Sequence, residues 1–285
     1  MGGSEKKSAR FLYLFHRLAE TLTTLAIQLG EEFAKSLFVP QAFELPIGGE
    51  EVKPLRLTLA DGTTLTVDGK IDRVDLFTKD GVRYVRVVDY KTGSKEFVLS
   101  DILAGLNMQM LIYLDILCDP SLSGEEYAAA GVVYSPASLR KAAGVRGETT
   151  FEGARQEMLR KNGLIVDNDD VIDAMEVGMK RKIGKKENIS VTGTTTFHSS
   201  ATYLADATQF DRIRDYIRSL LREMGQALHQ GDIEALPAKG TYDACAYCDY
   251  RVLCSQECKN GGREIRKRGM SEVMEALADE EAVRN

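Results

Sequence analysis

Two aspartates and a lysine have the types and the spacing of a metal-dependent hydrolytic site. Asp72 lies in residues 69–75 (GKIDRVD), and Asp89 and Lys91 close the apolar stretch that ends in VVDYK. Alternate residues of a strand leave the same face of a sheet, so Asp89 and Lys91 should project together. Asp72, on the neighbouring strand of a hairpin, can reach that face as well.

These three residues suit the hydrolysis of a phosphodiester. A divalent cation polarises the phosphoryl oxygen and lowers the pKa of a bound water, and one or two carboxylates suffice to hold Mg²⁺. A lysine beside the metal can orient or deprotonate the water and offset the charge on the phosphate. A lone Asp-x-Lys is more often a solvated strand end, but Asp89 follows Val87 and Val88, where an uncompensated charge is costly. We therefore predict that Asp72 and Asp89 bind metal and that Lys91 assists the water.

The elements that must position these residues are predicted from hydrophobic periodicity. Residues 55–59, 65–71 and 84–88 alternate and are separated by Asp-Gly turns, which predicts a meander of three strands that ends at DYK. Residues 8–36 form an amphipathic helix that ends at Gly30 or shortly after it.

The rest of the chain adds helices on both sides of this meander. We predict a helix over residues 100–117 with Ser100 as its N-cap, a buried strand over 127–134, short helices around 152–160 and 171–179, a mobile stretch near 184–196, and a long helix over 205–230. The inner face of the long helix should carry Phe210, Ile213, Ile217, Leu220, Leu221, Met224 and Leu228. This order predicts an α/β fold, a central mixed β-sheet flanked by helices.

Length and composition are ordinary for a soluble globular protein and allow one large domain or two small ones. The 285 residues are 44% hydrophobic and 28% charged, with a formal net charge of -6 that does not decide for or against nucleic acid. We predict an N-terminal helix that packs on the core over residues 1–37, a core over 38–235 with an insertion at about 136–200, and a cysteine segment with a basic tail over 236–285. No apolar run could cross a membrane and no signal peptide begins the chain, so we expect a cytoplasmic protein.

The two acidic motifs together resemble the PD-(D/E)XK nucleases of the RecB type. Residues 105–113 (GLNMQMLIY) resemble the Gln-x-x-x-Tyr motif of that family, in Gln109 and Tyr113, which share a helix face. The resemblance implies a restriction-endonuclease-like core and Mg²⁺ or Mn²⁺ as the metal. Asp72, Asp89 and the Tyr90 carbonyl would then be its ligands, with Lys91 catalytic and Gln109 and Tyr113 supporting the site or touching the DNA backbone. His16 lacks the setting of the additional histidine ligand of such nucleases.

Four of the five cysteines cluster near the C-terminus, with the spacing Cys245-x-x-Cys248, Cys254 and Cys258. Four thiolates suit either Zn²⁺ or an iron–sulfur cluster, and spacing does not decide between them. Cys118, on an apolar helix, is expected to be a buried small hydrophobe.

After such a core, the cysteine pattern is similar to the C-terminal end of the AddB subunits of bacterial helicase–nucleases. This resemblance implies a [4Fe–4S] cluster held by Cys245, Cys248 and Cys254 with a fourth, far-upstream cysteine. That upstream cysteine has no counterpart here, so the role of Cys258 as the fourth ligand is uncertain. With an incomplete ligand set, the cluster can be lost or replaced by zinc. The resemblance also implies an exonuclease domain that acts on DNA ends in double-strand-break repair and recombination. A single strand would be threaded to the site, with an AddA-like helicase–nuclease subunit as partner.

Two alternatives stay open. A stand-alone exonuclease similar to the Cas4 proteins would also join such a core to a cysteine cluster, although the long insertion favours the AddB type. A catalytically silent module that binds DNA ends would not need Asp72, Asp89 and Lys91. No P-loop motif occurs in the sequence, so we do not expect ATP hydrolysis.

Overall fold

The computed structural model describes residues 8–92, 96–137, 157–183, 189–240, 243–254 and 262–284. The strands are β1 (Val39–Ile47), β2 (Leu55–Thr58), β3 (Thr64–Val67), β4 (Gly69–Lys79), β5 (Val82–Lys91), β6 (Ala128–Pro136), β7 (Lys161–Val166), β8 (Lys180–Ile183), β9 (Ile189–Thr192), β10 (Phe197–Ala205), β11 (Ala238–Gly240) and β12 (Arg263–Ile265). The helices are α1 (Ala9–Lys35), a 3-10 helix (Leu99–Ala104), α2 (Gln109–Cys118), α3 (Pro120–Ser123), α4 (Asp169–Met175), α5 (Ala207–His229) and α6 (Met270–Arg284). The predicted α/β fold with a central mixed sheet and flanking helices is confirmed.

The central sheet has six strands in the order β1-β4-β5-β6-β7-β10. Strands β1, β4 and β5 form an antiparallel meander, and β6 runs parallel to β5. The predicted meander is therefore partly wrong, because β2 and β3 form a separate hairpin and β1 takes the third place. Strand β1 was not predicted because it contains Pro40 and Pro46, and proline argues against a strand. An edge strand such as β1 tolerates proline.

The sheet separates two hydrophobic clusters. The larger one includes Val85 and Val87 of β5 and residues of α2, α5 and α6, and the smaller one includes Val88 and residues of α4. This alternation along β5 fixes which face each of its last residues presents. The predicted long helix is present as α5, but Met224 and Leu228 are exposed rather than inward, whereas Gly225 between them is buried against Leu59 and Leu65.

The predicted helix over residues 100–117 is two elements. Gly105 and Asn107 have positive φ angles of 72° and 55°, which an α-helix does not accommodate, and they separate the 3-10 helix from α2. Ser100 lies inside the 3-10 helix, whose N-cap is Val98, so the predicted cap is wrong. The Asn107 side chain donates to the Asp101 carboxylate and holds this break. Gln109 is consequently the first residue of α2.

Helix α1 continues through Gly30 and ends at Lys35, within the predicted range of residues 8–36. Large apolar side chains of its first half are exposed, among them Phe11, Leu18 and Leu22. Its buried side chain is Glu32 near the other end, so the described contacts of α1 with the body concentrate there.

Two regions of the second half of the chain contain structure that the sequence analysis did not predict. Residues 189–192 pair with β8 as β9, and Glu176 accepts hydrogen bonds from the backbone or side chains of residues 194–196. The tail contains α6, whose Val273 and Leu277 are buried in the larger cluster.

The short predicted helices of the insertion fare differently. The helix predicted over residues 171–179 is α4, which ends at Met175, earlier than predicted. Most of the helix predicted near residues 152–160 lies outside the described residues, and so do residues 184–188. Among the helices that the structure describes, none is long and apolar enough to cross a membrane.

Candidate active site

Asp72 and Asp89 face each other across the β4–β5 hairpin. The antiparallel pairing of β4 with β5 ends at Arg73 and Val88, and Asp72 and Asp89 are the next residue on each strand. The Tyr90 backbone N–H donates a 2.9 Å hydrogen bond to Asp72 Oδ2, which ties the first carboxylate to the strand that carries the second.

Lys91 lies beside Asp89, as their spacing predicts. Lys91 Nζ is 2.6 Å from Asp89 Oδ2, and the side chains are 23% and 14% exposed, so the pair is reachable from solvent but largely enclosed. Asp89 Oδ2 is buried and accepts no hydrogen bond from the residues that the structure describes, and the Lys91 ammonium is its ionic partner. This oxygen therefore keeps capacity for a further positive partner.

The floor of the site is Tyr134, which the sequence did not single out. Tyr134 stands next to Asp89 in the parallel β5–β6 register, and its ring centroid lies 5.2 Å from Lys91 Nζ. Burial, then the nearby charges of Asp89 and Asp101, raise the Tyr134 pKa to about 12, so the phenol is neutral at physiological pH. Asp101 of the 3-10 helix is thus close enough to act on this site electrostatically. The sequence feature that could have identified Tyr134 is its position as the last residue of the strand predicted over residues 127–134.

Gln109 and Tyr113 lie one turn apart on α2 and contact each other and β4. Gln109 Nε2 donates to Tyr113 Oη at 2.9 Å. The Tyr113 ring lies directly against Gly69, the first residue of β4, where any side chain would collide with it. Tyr113 therefore supports the strand three residues before Asp72, which agrees with a supporting place beside the acidic residues.

The described residues fit a hard divalent cation with few protein ligands. Asp72 and Asp89 supply two carboxylates at the same end of the β4–β5 hairpin, and the buried Asp89 Oδ2 is an acceptor that a cation could satisfy beside Lys91. Among the described residues, no group of three or more His, Cys, Asp or Glu side chains is placed to hold a metal ion, neither at these aspartates nor at Cys245, Cys248 and Cys254. Two carboxylates completed by water suit Mg²⁺, which keeps several waters when bound.

Three of the predicted cluster cysteines lie in one turn-rich segment between β11 and β12. These two strands pair in parallel and close the base of the segment, while Cys248 and Cys254 are exposed and Cys245 is half-buried. Cys258, which the sequence analysis left uncertain as a ligand, lies outside the described residues. Cys118 is a half-buried residue of α2, and burial raises its pKa to about 12, in keeping with a small apolar role.

Known proteins similar to this chain are nucleases and components of helicase–nucleases. The model of the PD-(D/E)XK nuclease superfamily matches residues 3–255. An ATP-dependent helicase/deoxyribonuclease subunit of Clostridium kluyveri is 30% identical over 282 residues, which are 96% of this chain and 24% of the relative. The corresponding protein of Exiguobacterium sibiricum is 32% identical over 285 residues, 96% of this chain and 25% of the relative.

The chain thus spans about a quarter of the length of the curated relatives it matches. The family match, in contrast, covers most of the chain and includes both acidic strands, the supporting helix and three of the four clustered cysteines. With the mixed sheet and the opposed aspartates, this shows that the chain belongs to the PD-(D/E)XK nuclease superfamily.

Proposed function

We propose that this chain is a Mg²⁺-dependent DNA nuclease domain, in which Asp72, Asp89 and Lys91 carry the hydrolysis of phosphodiesters. The observation that carries the proposal is the placement of two opposed carboxylates with an ammonium group 2.6 Å from one of them. Structural ion pairs also occur at strand ends, but a matched nuclease family and a buried, poorly satisfied Asp89 oxygen favour a catalytic place.

Asp72, Asp89 and the Tyr90 carbonyl would hold the metal. When bound, Mg²⁺ supplies a polarised phosphoryl group and a water of lowered pKa. Lys91 would place its positive charge against the phosphate oxygens, where negative charge develops, and the neutral Tyr134 ring beneath it would limit its movement. Gln109 and Tyr113 would keep β4, and so Asp72, in place.

We further propose that the chain corresponds to the C-terminal nuclease domain of an AddB-like subunit. The named activity of its relatives, helicase/deoxyribonuclease, supports DNA as the substrate. In this proposal the domain is an exonuclease that degrades DNA ends in double-strand-break repair and recombination, receives a single strand, and works with an AddA-like subunit. Cys245, Cys248 and Cys254 would bind a [4Fe–4S] cluster, or zinc in its place.

The test is the cleavage of end-labelled single- and double-stranded DNA with Mg²⁺, Mn²⁺ or EDTA. We expect metal-dependent cutting, and we expect Asp89→Asn to lower the rate at least about 100-fold. Asp279→Asn, on the exposed side of α6, is the matched control and should cut as well as the unaltered chain. Equal cutting by Asp89→Asn would refute the site. DNA binding without cutting, with or without an AddA-like subunit, would favour the silent end-binding module.

A further inference from the structure

A buried ion cluster lies on the face of the sheet opposite the candidate active site. We use this name for Glu32, Arg73, Asp75, Arg86 and Lys161, each at most 4% exposed. Glu32 of α1 is its centre, because its Oε1 lies 2.6 Å from Arg73 Nη2, 3.3 Å from Arg86 Nη2 and 3.2 Å from Lys161 Nζ.

The remaining contacts hold the two arginines firmly. Asp75 pairs with Arg73 Nε at 2.9 Å and with Arg86 Nε at 2.8 Å. The Phe33 ring of α1 packs 5.3 Å from the Arg73 guanidinium. Burying charges costs free energy, so a buried ion network of this kind contributes little net stability. Such a network can instead fix the residues around it in one specific arrangement.

Tyr90 connects this cluster with the candidate active site. Its phenol lies on the cluster side, where Arg73 Nη1 donates a 2.7 Å hydrogen bond to Tyr90 Oη. Its backbone N–H points the other way along the hairpin and donates to Asp72 Oδ2. One residue is therefore bound by its side chain to the buried cluster and by its backbone to a proposed metal ligand.

We propose that Arg73 and Tyr90 form a positioning pair that sets the orientation of the Asp72 carboxylate from behind the sheet, an inference that rests on the proposed nuclease function. A carboxylate that is fixed by one oxygen loses less conformational freedom when it binds a cation. The rigid hold on Arg73 by Glu32 and Asp75 is transmitted to Tyr90, since the 2.7 Å bond restrains the ring and with it the adjacent peptide group.

The substitution Tyr90→Phe tests this proposal with little disturbance. It keeps the ring and the backbone N–H and removes only the hydroxyl that Arg73 binds. Tyr127→Phe is a matched control, because Arg83 Nη2 likewise donates to Tyr127 Oη, at 3.2 Å, near the opposite ends of β5 and β6.

Two measurements do not depend on cleavage. In calorimetric titration with Mn²⁺ alone, we expect Tyr90→Phe to weaken binding about three- to tenfold and Tyr127→Phe to leave it unchanged. In the metal-free protein, we expect the amide hydrogen at position 90 to exchange faster in Tyr90→Phe only. In cleavage assays the Tyr90→Phe defect should lie in the Mn²⁺ concentration required and disappear at saturating Mn²⁺.

The outcomes separate the two proposals. Unchanged Mn²⁺ affinity and amide exchange in a folded Tyr90→Phe variant would overturn the positioning pair and leave the nuclease proposal intact. If the unaltered chain binds no Mn²⁺ and cuts no DNA, both proposals fall. Should Tyr90→Phe not fold, Phe33→Ala removes the ring packed on Arg73 from a 40% exposed position. We then expect about twofold weaker Mn²⁺ binding, and an unchanged affinity would overturn the pair.

Discussion

The absence of a side chain at Gly69 is a strong steric requirement beside the candidate site. A Cβ built at this position would overlap Tyr113 Oη and lie 3.0 Å from Cζ and 3.1 Å from Cε1 of the same ring. Carbon atoms in normal contact are about 3.5–4.0 Å apart, so Gly69→Ala would force the ring to retreat by roughly half an ångström or more. Tyr113 is only 7% exposed and has little space into which to move.

The expected cost follows from these contacts. Overfilling a packed core costs about 1–3 kcal/mol. Displacement of Tyr113 also weakens the 2.9 Å hydrogen bond from Gln109, a loss of about 1 kcal/mol. We therefore expect Gly69→Ala to lower the free energy of unfolding by about 2–4 kcal/mol and the Tm by about 5–15 °C.

Thermal and urea unfolding measures the loss of stability in Gly69→Ala, and three further variants serve as comparisons. Gly30→Ala in α1 is the control, since no heavy atom lies within 4 Å of its Cβ position, and it should stabilise the chain by about 1 kcal/mol. Tyr113→Phe removes the overlapping oxygen, so the double variant Gly69→Ala/Tyr113→Phe should be more stable than the sum of the single effects predicts. Strict additivity, or a Gly69→Ala variant as stable as the unaltered chain, would refute the steric reasoning.

Three further predictions concern titratable groups. Burial alone would raise the Glu176 pKa, but hydrogen bonds from residues 194–196 more than offset this and lower it from 4.5 to about 2. This carboxylate contributes about 3 kcal/mol of stability, which is present above pH 4.5 and lost as the pH falls towards 2. In urea unfolding at a series of pH values, the free energy of unfolding of Glu176→Gln should therefore fall less steeply over this range than that of the unaltered chain. Burial lowers the Lys161 pKa from 10.5 to about 8, so the unfolded chain binds more protons between these values and stability rises with pH in that window. Lys161→Met should abolish this rise of about 2 kcal/mol between pH 8 and 10, and an identical rise in the variant would refute the shift. In the reduced, metal-free chain, iodoacetamide at neutral pH should modify Cys248 and Cys254 well before Cys118, whose thiol is half-buried and whose pKa is raised to about 12 by burial. Equal labelling by peptide mass spectrometry would contradict it.

Local rules were sufficient for the acidic pair and its lysine. The two-residue period of a strand places Asp89 and Lys91 on one face, and the Asp-Gly turn at residues 80–81 makes β4 and β5 a hairpin that brings Asp72 opposite Asp89. The one-turn spacing of Gln109 and Tyr113 was likewise readable, because it depends only on helix geometry.

Element boundaries depended on contacts that the sequence does not display. The break between the 3-10 helix and α2 is held by Asn107 and Asp101, and β1 is a strand despite its prolines because it has β4 on one side and no neighbour in the central sheet on the other. In each case a partner distant in the chain or in the sheet outweighs local propensity.

The environment of the site was decided by tertiary structure alone. Glu32 contacts Arg73, 41 residues away in the chain, and Tyr113 of α2 contacts Gly69 of β4. Tyr134 packs against Lys91 from the neighbouring parallel strand. Periodicity states which face a residue presents, but not which residues from other segments meet it there. A buried charge is stable only beside specific partners, and those partners are defined by the packing of the folded chain.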